Sequence, residues 1–499
     1  MMGNRFLVIA ITTYRNFSTK TGTKTKKWFG NRYRKKAIEK ELVEGRTSIK
    51  WTDQQKQVIS AVSMGRSVFI TGSAGTGKTA LIEHLIKTLG QKRYEPSNVF
   101  VTAATGVAAC AISGQTLHSF SGIKHMKADR ELLLQSVLSN KQACRRWKKA
   151  KALVIDEISM VSAKMFEDLE YIARVIRDVD EVWGGIQLVV GGDFFQLPPI
   201  IRPPDPLGKE FAFEADCWNS SFDLQVEQTQ IFRQSDLQLI KILQGIRRGE
   251  IDPSDLECLE EVCCSKTKPD DSVVQLFPRI EDVATVNEER MEKLNNEIVV
   301  YTAVDSGIDK WKRQLDKGIA PDEIGLCEKA RVMLIKNVKT WRGLVNGATG
   351  TILGFVEPEE RDVTDICKDG LLPLVKFDSG QTMVVEPETW EVREGDVVRA
   401  SRKQIPLILA WSLSIHKCQG MTLDRLHTDL SRAFGYGMVY VALSRVRSFE
   451  GLHLSGFDSS KVQAHPKVLK FYKNFVSEQY KEIEDDCSGK AHHISRGNT

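Results

Sequence analysis

The chain has 499 residues, more than one ordinary domain holds and enough for two to four. Hydrophobic residues at 41% and charged residues at 27% are the balance of a globular protein, and no 18-residue apolar run exists to cross a membrane as a helix. The net charge of +5 misleads: residues 1–36 hold ten Lys or Arg and no acid, leaving 60 basic against 65 acidic side chains elsewhere, so charge alone does not argue for nucleic acid.

That first segment, MMGNRFLVIAITTYRNFSTKTGTKTKKWFGNRYRKK, is also rich in Ser and Thr. This is the composition of a mitochondrial presequence, and import into the mitochondrion is the expectation. The alternatives are a nuclear signal in KTKK or RYRKK, or a basic arm lying on DNA. The apolar stretch Phe6–Ile11 is too short to span a membrane. Ten cysteines are scattered along the chain, with Cys263 and Cys264 the only close pair and no C-x-x-C. That pattern fits a reducing compartment and argues against a zinc site or a disulfide framework.

The next element is VFITGSAGTGKTALI (68–82). Its G-x-x-x-x-G-K-T frame puts Gly72, Gly77, Lys78 and Thr79 in fixed places, with Ser73, Ala74, Gly75 and Thr76 between them. Glycines let the backbone curl until several N–H groups converge on an anion. The following helix (Leu81, Ile82, Leu85, Ile86, Leu89, closed by Gly90) aims its positive end at the same point. Lys78 is placed to reach the β- and γ-phosphates of ATP, and the Thr79 hydroxyl to hold Mg²⁺.

Strand-like and helix-like runs then alternate, the pattern of an α/β fold with a parallel sheet. The expected strands are SVFI (67–70), NVFVT (98–102), ALVI (152–155) and IQLVV (186–190). All are continuous apolar runs, as a sheet covered on both faces requires. Ligands of such sheets bind beyond the carboxyl ends of the strands, where this chain puts polar residues. Asp156 can hold Mg²⁺ through water and Glu157 can act as general base on the attacking water. In GGDFFQLPP (191–199), Gln196 is placed to sense the γ-phosphate or to orient water.

With that nonamer the chain resembles the PIF (petite integration frequency) family of DNA helicases, in superfamily 1, group B. EISMVSAKMFEDLEYIARVIR (157–177) resembles the stretch that separates this family from its RecD-like relatives; Met165, Leu169, Ile172 and Ile176 also fall at core-helix spacing. The resemblance runs from about Trp51 to Phe457. WTDQQ (51–55) is similar to the adenine-reading motif, with Gln55 as reader. VTAATGVAACAISGQTLHSF (101–120) is similar to a DNA-contacting segment, through Thr102, Thr105 and His118. QIFRQ (230–234) supplies Arg233. RVMLIKNVKTWRGLVNGATGTI (331–352) resembles the entry to a small β-barrel. SLSIHKCQGMTLD (412–424) resembles a second DNA-contacting motif, through Ser414, His416 and Lys417. YGMVYVALSRVRS (436–448) supplies Arg445, with Tyr440 on the DNA side.

The resemblance implies two RecA-like P-loop domains with parallel sheets, a small inserted wedge and a small inserted β-barrel. It implies an ATP hydrolase that moves 5′ to 3′ on single-stranded DNA and unwinds forked or tailed duplexes as a monomer in DNA replication, repair or recombination, without a membrane partner. Lys78, Asp156, Glu157 and Gln196 would act with Arg233 and Arg445 as arginine fingers on the developing γ-phosphate charge. The alternative is an ATP-gated clamp or RecD-like subunit that does not unwind. Two residues depart from the family pattern, Cys418 where Ser is usual and Met438 where Gln is usual. Beside Lys417 on the expected strand path, Cys418 is either a reactive thiol or, as is commoner for a free cysteine, a buried and inert one. The cluster RRWKK (145–149) reads as the solvated end of a helix, the alternative being a group that stacks and pairs with DNA.

The expected boundaries are a basic segment at 1–45, domain one at 46–226 with its insertion near 121–148, and domain two at 227–335 and 401–478. The barrel is expected at 336–400, where two β-branched runs joined through D-S-G read as a hairpin, and 479–499 as a flexible tail.

Overall fold

The computed structural model describes residues 50–475, apart from 113, 124–128, 200–207, 265–272, 313–314, 316–319, 337, 339–343, 345–346, 359–362 and 395–396. The basic segment and the polar tail lie outside the described residues.

A six-stranded parallel sheet comes first. Its strands are β1 (Val68–Gly72), β2 (Val99–Ala103), β3 (Gln115–Thr116), β4 (Ala152–Asp156), β5 (Gln187–Gly191) and β6 (Leu224–Gln228), in the order β3-β2-β4-β5-β1-β6. Every residue of β1, β4 and β5 is buried, which is why these segments read as unbroken apolar runs. The four strands expected in this region all form, in parallel register. Helix Ala163–Arg177 buries Met165, Leu169, Ile172 and Ile176 as its spacing dictated.

A second parallel sheet holds Ser412–Ser414, Val274–Phe277, Leu426–Asp429 and Leu452–Gly456, in that order. It has its own core, built with Leu239, Ile242, Leu243 and Ile246 of helix Leu237–Arg248. Met438 lies in this core at 2% exposure, so the family departure there is a packing choice.

Between the halves of this second lobe, antiparallel strands run from Val299 to Leu409, in sheets of five, three and two strands among the described residues. The span is wider than the expected 336–400. Strands Val299–Thr302, Val304–Gly307 and Glu323–Leu326 fall before that window, and Leu407–Leu409 after it pairs with Arg331–Leu334. Short strands give no sign of their partners in sequence, because pairing is nonlocal. The D-S-G hairpin does form, joining Leu372–Phe377 to Thr382–Val384.

A second boundary also differs. The helix at 466–475, expected in domain two, packs in the core of the first sheet through Val468, Tyr472 and Phe475. Its aromatic side chains join a cluster that includes Phe69, Phe194, Phe195 and Trp218, and burying so many rings outweighs sequence proximity.

Near that helix lies a buried ion pair. Arg247 Nη2 donates to Asp193 Oδ1 at 3.0 Å and its Nη1 to Glu227 at 3.1 Å. The guanidinium sits 4.6 Å from the Phe195 ring centre and 5.1 Å from that of Tyr472. Removing one partner of such a pair leaves a charge without compensation. Arg247→Ala should therefore cost about 3–5 kcal/mol in chemical denaturation. Lys56→Ala, which breaks the exposed Lys56–Asp53 pair, should leave the transition unchanged in the same measurement.

Candidate active site

Strand β1 hands the chain to helix Lys78–Thr88 through the glycine-rich loop, with Gly77 as N-cap in the left-handed region. The loop closes on itself, Thr76 Oγ1 donating to the Ser73 carbonyl at 2.9 Å. Gly75 has φ 85°, and a side chain there would put its Cβ 2.6 Å from the Arg233 Cβ. Only glycine lets the 229–234 segment lie on the loop, where Phe232 N donates to Gly75 O at 2.8 Å. Lys78 Nζ donates to the carbonyls of Gly72 and Ser73 at 2.6 and 3.0 Å. Burial lowers the Lys78 pKa, opposed by the carboxylates of Asp193 and Glu157. Gln55 completes a capping box with Thr52 and its Nε2 reaches the Thr76 carbonyl at 3.4 Å.

At the end of β4, Asp156 Oδ1 accepts from Glu157 N at 2.9 Å, and Glu157 adopts the left-handed φ of 55°. Burial, then the neighbouring Glu157, raises Asp156 to about 7; burial raises Glu157 as well. Two adjacent carboxyls of this kind, Asp156 buried and Glu157 half-buried, call for a cation.

One cavity of about 370 Å³ gathers these elements. It is lined by Gly75 to Thr79, Glu157 and Gln196 from the first lobe and by Arg445 from the second, with Arg233 from the segment joining them. Arg233 Nη1 donates to the Ser444 carbonyl at 2.9 Å; Arg445 Nε donates to the Val441 carbonyl at 2.9 Å and its Nη2 to Ser444 Oγ at 2.8 Å. Burial, then Arg445 nearby, lowers Arg233 to about 9. A site with two desolvated arginines facing a phosphate loop can stabilise charge developing on a transferred phosphoryl group.

Sequence reasoning passed over Phe232, Gln419, Thr422 and Arg447. Phe232, Thr422 and Arg447 line the same cavity, and Gln419 Nε2 donates to Glu157 Oε2 at 3.0 Å. Each sits within a segment already singled out, so their positions in those motifs were the available signal.

The residues expected to face DNA divide. His416 and Lys417 are exposed, and Thr105 and His118 are half-buried. Thr105 caps the short helix Gly106–Ala111 by accepting from Ala108 N at 3.2 Å. Three expectations are overturned. Thr102 is fully buried and donates to the Val154 carbonyl at 2.7 Å, because its strand position points it across to β4. Ser414 is 3% exposed and accepts from Lys417 N. Tyr440 is 2% exposed, and its hydroxyl accepts from Ala74 N of the phosphate loop at 2.7 Å. That makes Tyr440 a support of the loop from beneath.

In RRWKK, Arg145, Lys148 and Lys149 are exposed as expected. Arg146 and Trp147 instead turn inward, donating to the carbonyls of Phe120 and Ser121 at 2.8 and 3.2 Å, and so hold the helix Leu117–Ser121 that carries His118.

Fold and site together are those of a P-loop protein with two parallel-sheet lobes and an antiparallel insertion. Residues 50–255 match the model of the PIF1-like helicase family. The chain is 40% identical over 433 residues to the ATP-dependent DNA helicase PIF1 of Xenopus laevis, a match covering 86% of this chain and 65% of that protein. The crystal structure of Pif1 helicase from Candida albicans superposes with a TM-score of 0.73 at 39% identity, covering 86% of this chain and all of that one. A Bacteroides Pif1 helicase crystallised with ADP-AlF3 and single-stranded DNA superposes with a TM-score of 0.61 at 27% identity, over 86% of this chain and 98% of that one. The chain belongs to the PIF1-like helicase family. It spans 63–65% of the length of the first curated relatives it matches.

Of the two readings of Cys418, the reactive thiol is overturned and the buried, inert one holds. It is fully buried, its Sγ lies 3.0 Å from the Ile415 carbonyl, and burial pushes its pKa up to about 11 in spite of Arg445 and Arg233. Thiol titration of the folded protein should therefore count the same number of fast-reacting thiols in the wild type and in Cys418→Ser. One fewer in the variant would place this sulfur at the surface.

Proposed function

We propose that this chain is an ATP-dependent DNA helicase: it hydrolyses ATP, moves along single-stranded DNA and separates the strands of forked or tailed duplexes. The observation that carries this reading is the single cavity in which Lys78, Thr79, Glu157, Gln196, Arg233 and Arg445 meet. Names and contents of the relatives support it, since the Xenopus protein is called a DNA helicase and the Bacteroides protein was crystallised with a nucleotide analogue and a single strand.

Lys78 and the loop N–H groups bind the phosphates. Thr79 and Asp156 would hold Mg²⁺, which offsets phosphate charge when bound; the raised pKa of the buried Asp156 carboxyl supports a cation there. Glu157 takes the proton of the attacking water, with Gln196 orienting it. Arg233 and Arg445 act on the transition state, a role worth roughly 10³–10⁵ in rate elsewhere. The exposed His416 and Lys417 and the half-buried Thr105 and His118 supply strand contacts. Nucleotide turnover then becomes alternate gripping of the strand, with movement 5′ to 3′ as group membership implies, by a monomer serving DNA replication, repair or recombination. An ATP-gated clamp that does not unwind is disfavoured because no catalytic side chain is missing.

Lys78→Ala should abolish strand-stimulated ATPase and strand displacement on 5′-tailed duplexes while keeping the wild-type melting temperature, because Lys78 contributes charge rather than packing. Near-normal turnover in the folded variant would sink this reading. A 3′-tail preference in the wild type would refute the polarity alone.

The mitochondrion is the proposed address, from the basic, acid-free composition of residues 1–36. A fluorescent reporter carrying residues 1–45 should enter mitochondria. Its accumulation only in nuclei would identify the basic clusters as nuclear signals.

A further inference from the structure

The turn after strand Ser412–Ser414 carries chemistry on two sides. His416 and Lys417 are exposed on one. On the other, Gln419 Nε2 donates to Glu157 Oε2 at 3.0 Å and to Gln196 Oε1 at 3.4 Å. The orientation of the Gln419 amide follows from chemistry, because an ionised carboxylate only accepts and must meet the nitrogen. Its two N–H groups thus hold two residues that act on the attacking water. Gln419 comes from the second lobe; Glu157 and Gln196 come from the first.

The turn between these two sides is stiff. Lys417 N donates to Ser414 O at 2.9 Å, Cys418 N to Ser414 O at 3.3 Å, and Met421 N to Cys418 O at 3.0 Å. Cys418 is locked in the core with its Sγ on the Ile415 carbonyl. A load applied at His416 and Lys417 therefore moves the turn as a body and reaches Gln419.

We propose that Gln419 is a positioning residue for Glu157, and that the 414–421 turn uses it to pass occupancy of the His416–Lys417 face to the hydrolytic centre. Strand-stimulated turnover then depends on the Gln419 donor. The inference rests on the reading of Glu157 as general base in ATP hydrolysis.

The test compares full-length wild type, Gln419→Ala and Gln419→Met, with ATPase measured at zero and at saturating oligo-dT. Met keeps the length and bulk of Gln and removes the N–H donors. Both variants should keep the KM for ATP and the Kd for oligo-dT within about twofold. Their stimulated kcat should fall at least tenfold, and the ratio of stimulated to basal turnover at least fivefold. A ratio kept in Gln419→Met would show that bulk is what matters, and would overturn the proposal. So would weaker oligo-dT binding that accounts for the whole loss, which would make Gln419 a strand contact. A wild type without strand-stimulated turnover overturns the helicase reading itself, and is distinguishable because it appears before any variant is made.

Discussion

The Arg247 guanidinium is the constraint on which the remaining geometry depends. It comes from helix Leu237–Arg248, whose apolar face belongs to the second core, yet it pairs with Asp193 and Glu227 of the first lobe. Two aromatic rings, Phe195 and Tyr472, cover it from solvent. Asp193 is fully buried and is held further by Phe195 N at 3.2 Å and the Tyr472 hydroxyl at 3.4 Å. Neither charge is tolerable alone in such a place, so the lobes and the 466–475 helix are committed to one arrangement there. The phosphate loop is part of it. Tyr472 also bonds Thr71 at the end of β1, and Tyr440 accepts from Ala74 N.

Above that support, the cavity concentrates charge of both signs. Asp156 is buried beside the half-buried Glu157, its neighbour in sequence; Arg445 is buried near the half-buried Arg233 of another segment. Burial first, and then the like charge beside it, raises Asp156 to about 7 and lowers Arg233 to about 9. A metal-bound polyphosphate offers a counter-charge to each. The geometry is dear to maintain without such a ligand, which is a reason to read it as a binding site rather than a structural network. Carbonyls at the end of helix Met438–Leu443 organise the arginine side, with Ser444 O accepting from both Arg233 and Gln234. The close approach of the lobes is visible at Gly437, whose φ is 71° and where a Cβ would lie 2.4 Å from the Phe195 carbonyl oxygen.

Residues within the motifs serve packing as often as chemistry. Thr102, Ser414, Cys418, Met438 and Tyr440 are all buried. A motif marks a segment that must keep its position, and that requirement falls on inward-facing side chains as heavily as on those that touch a ligand. The serine-to-cysteine and glutamine-to-methionine departures therefore replace inward-facing groups in a core of Leu, Ile and Val, where either residue packs well.

By itself the sequence determined the local chemistry. Continuous apolar runs demanded a parallel sheet covered on both faces, and Gly72 to Thr79 could curl around an anion because glycine spacing is a local property. Helix Ala163–Arg177 followed from its period alone. What only the tertiary structure decided is everything that depends on partners distant in the chain. The 466–475 helix left its neighbours for the first core, the antiparallel strands reached back to Val299, and Gln419 met Glu157 across 262 positions. Tyr440 and Cys418 turned inward for the same reason. Side-chain direction on a short helix or turn is set by what packs against it, and a linear pattern of residue types holds no record of that contact.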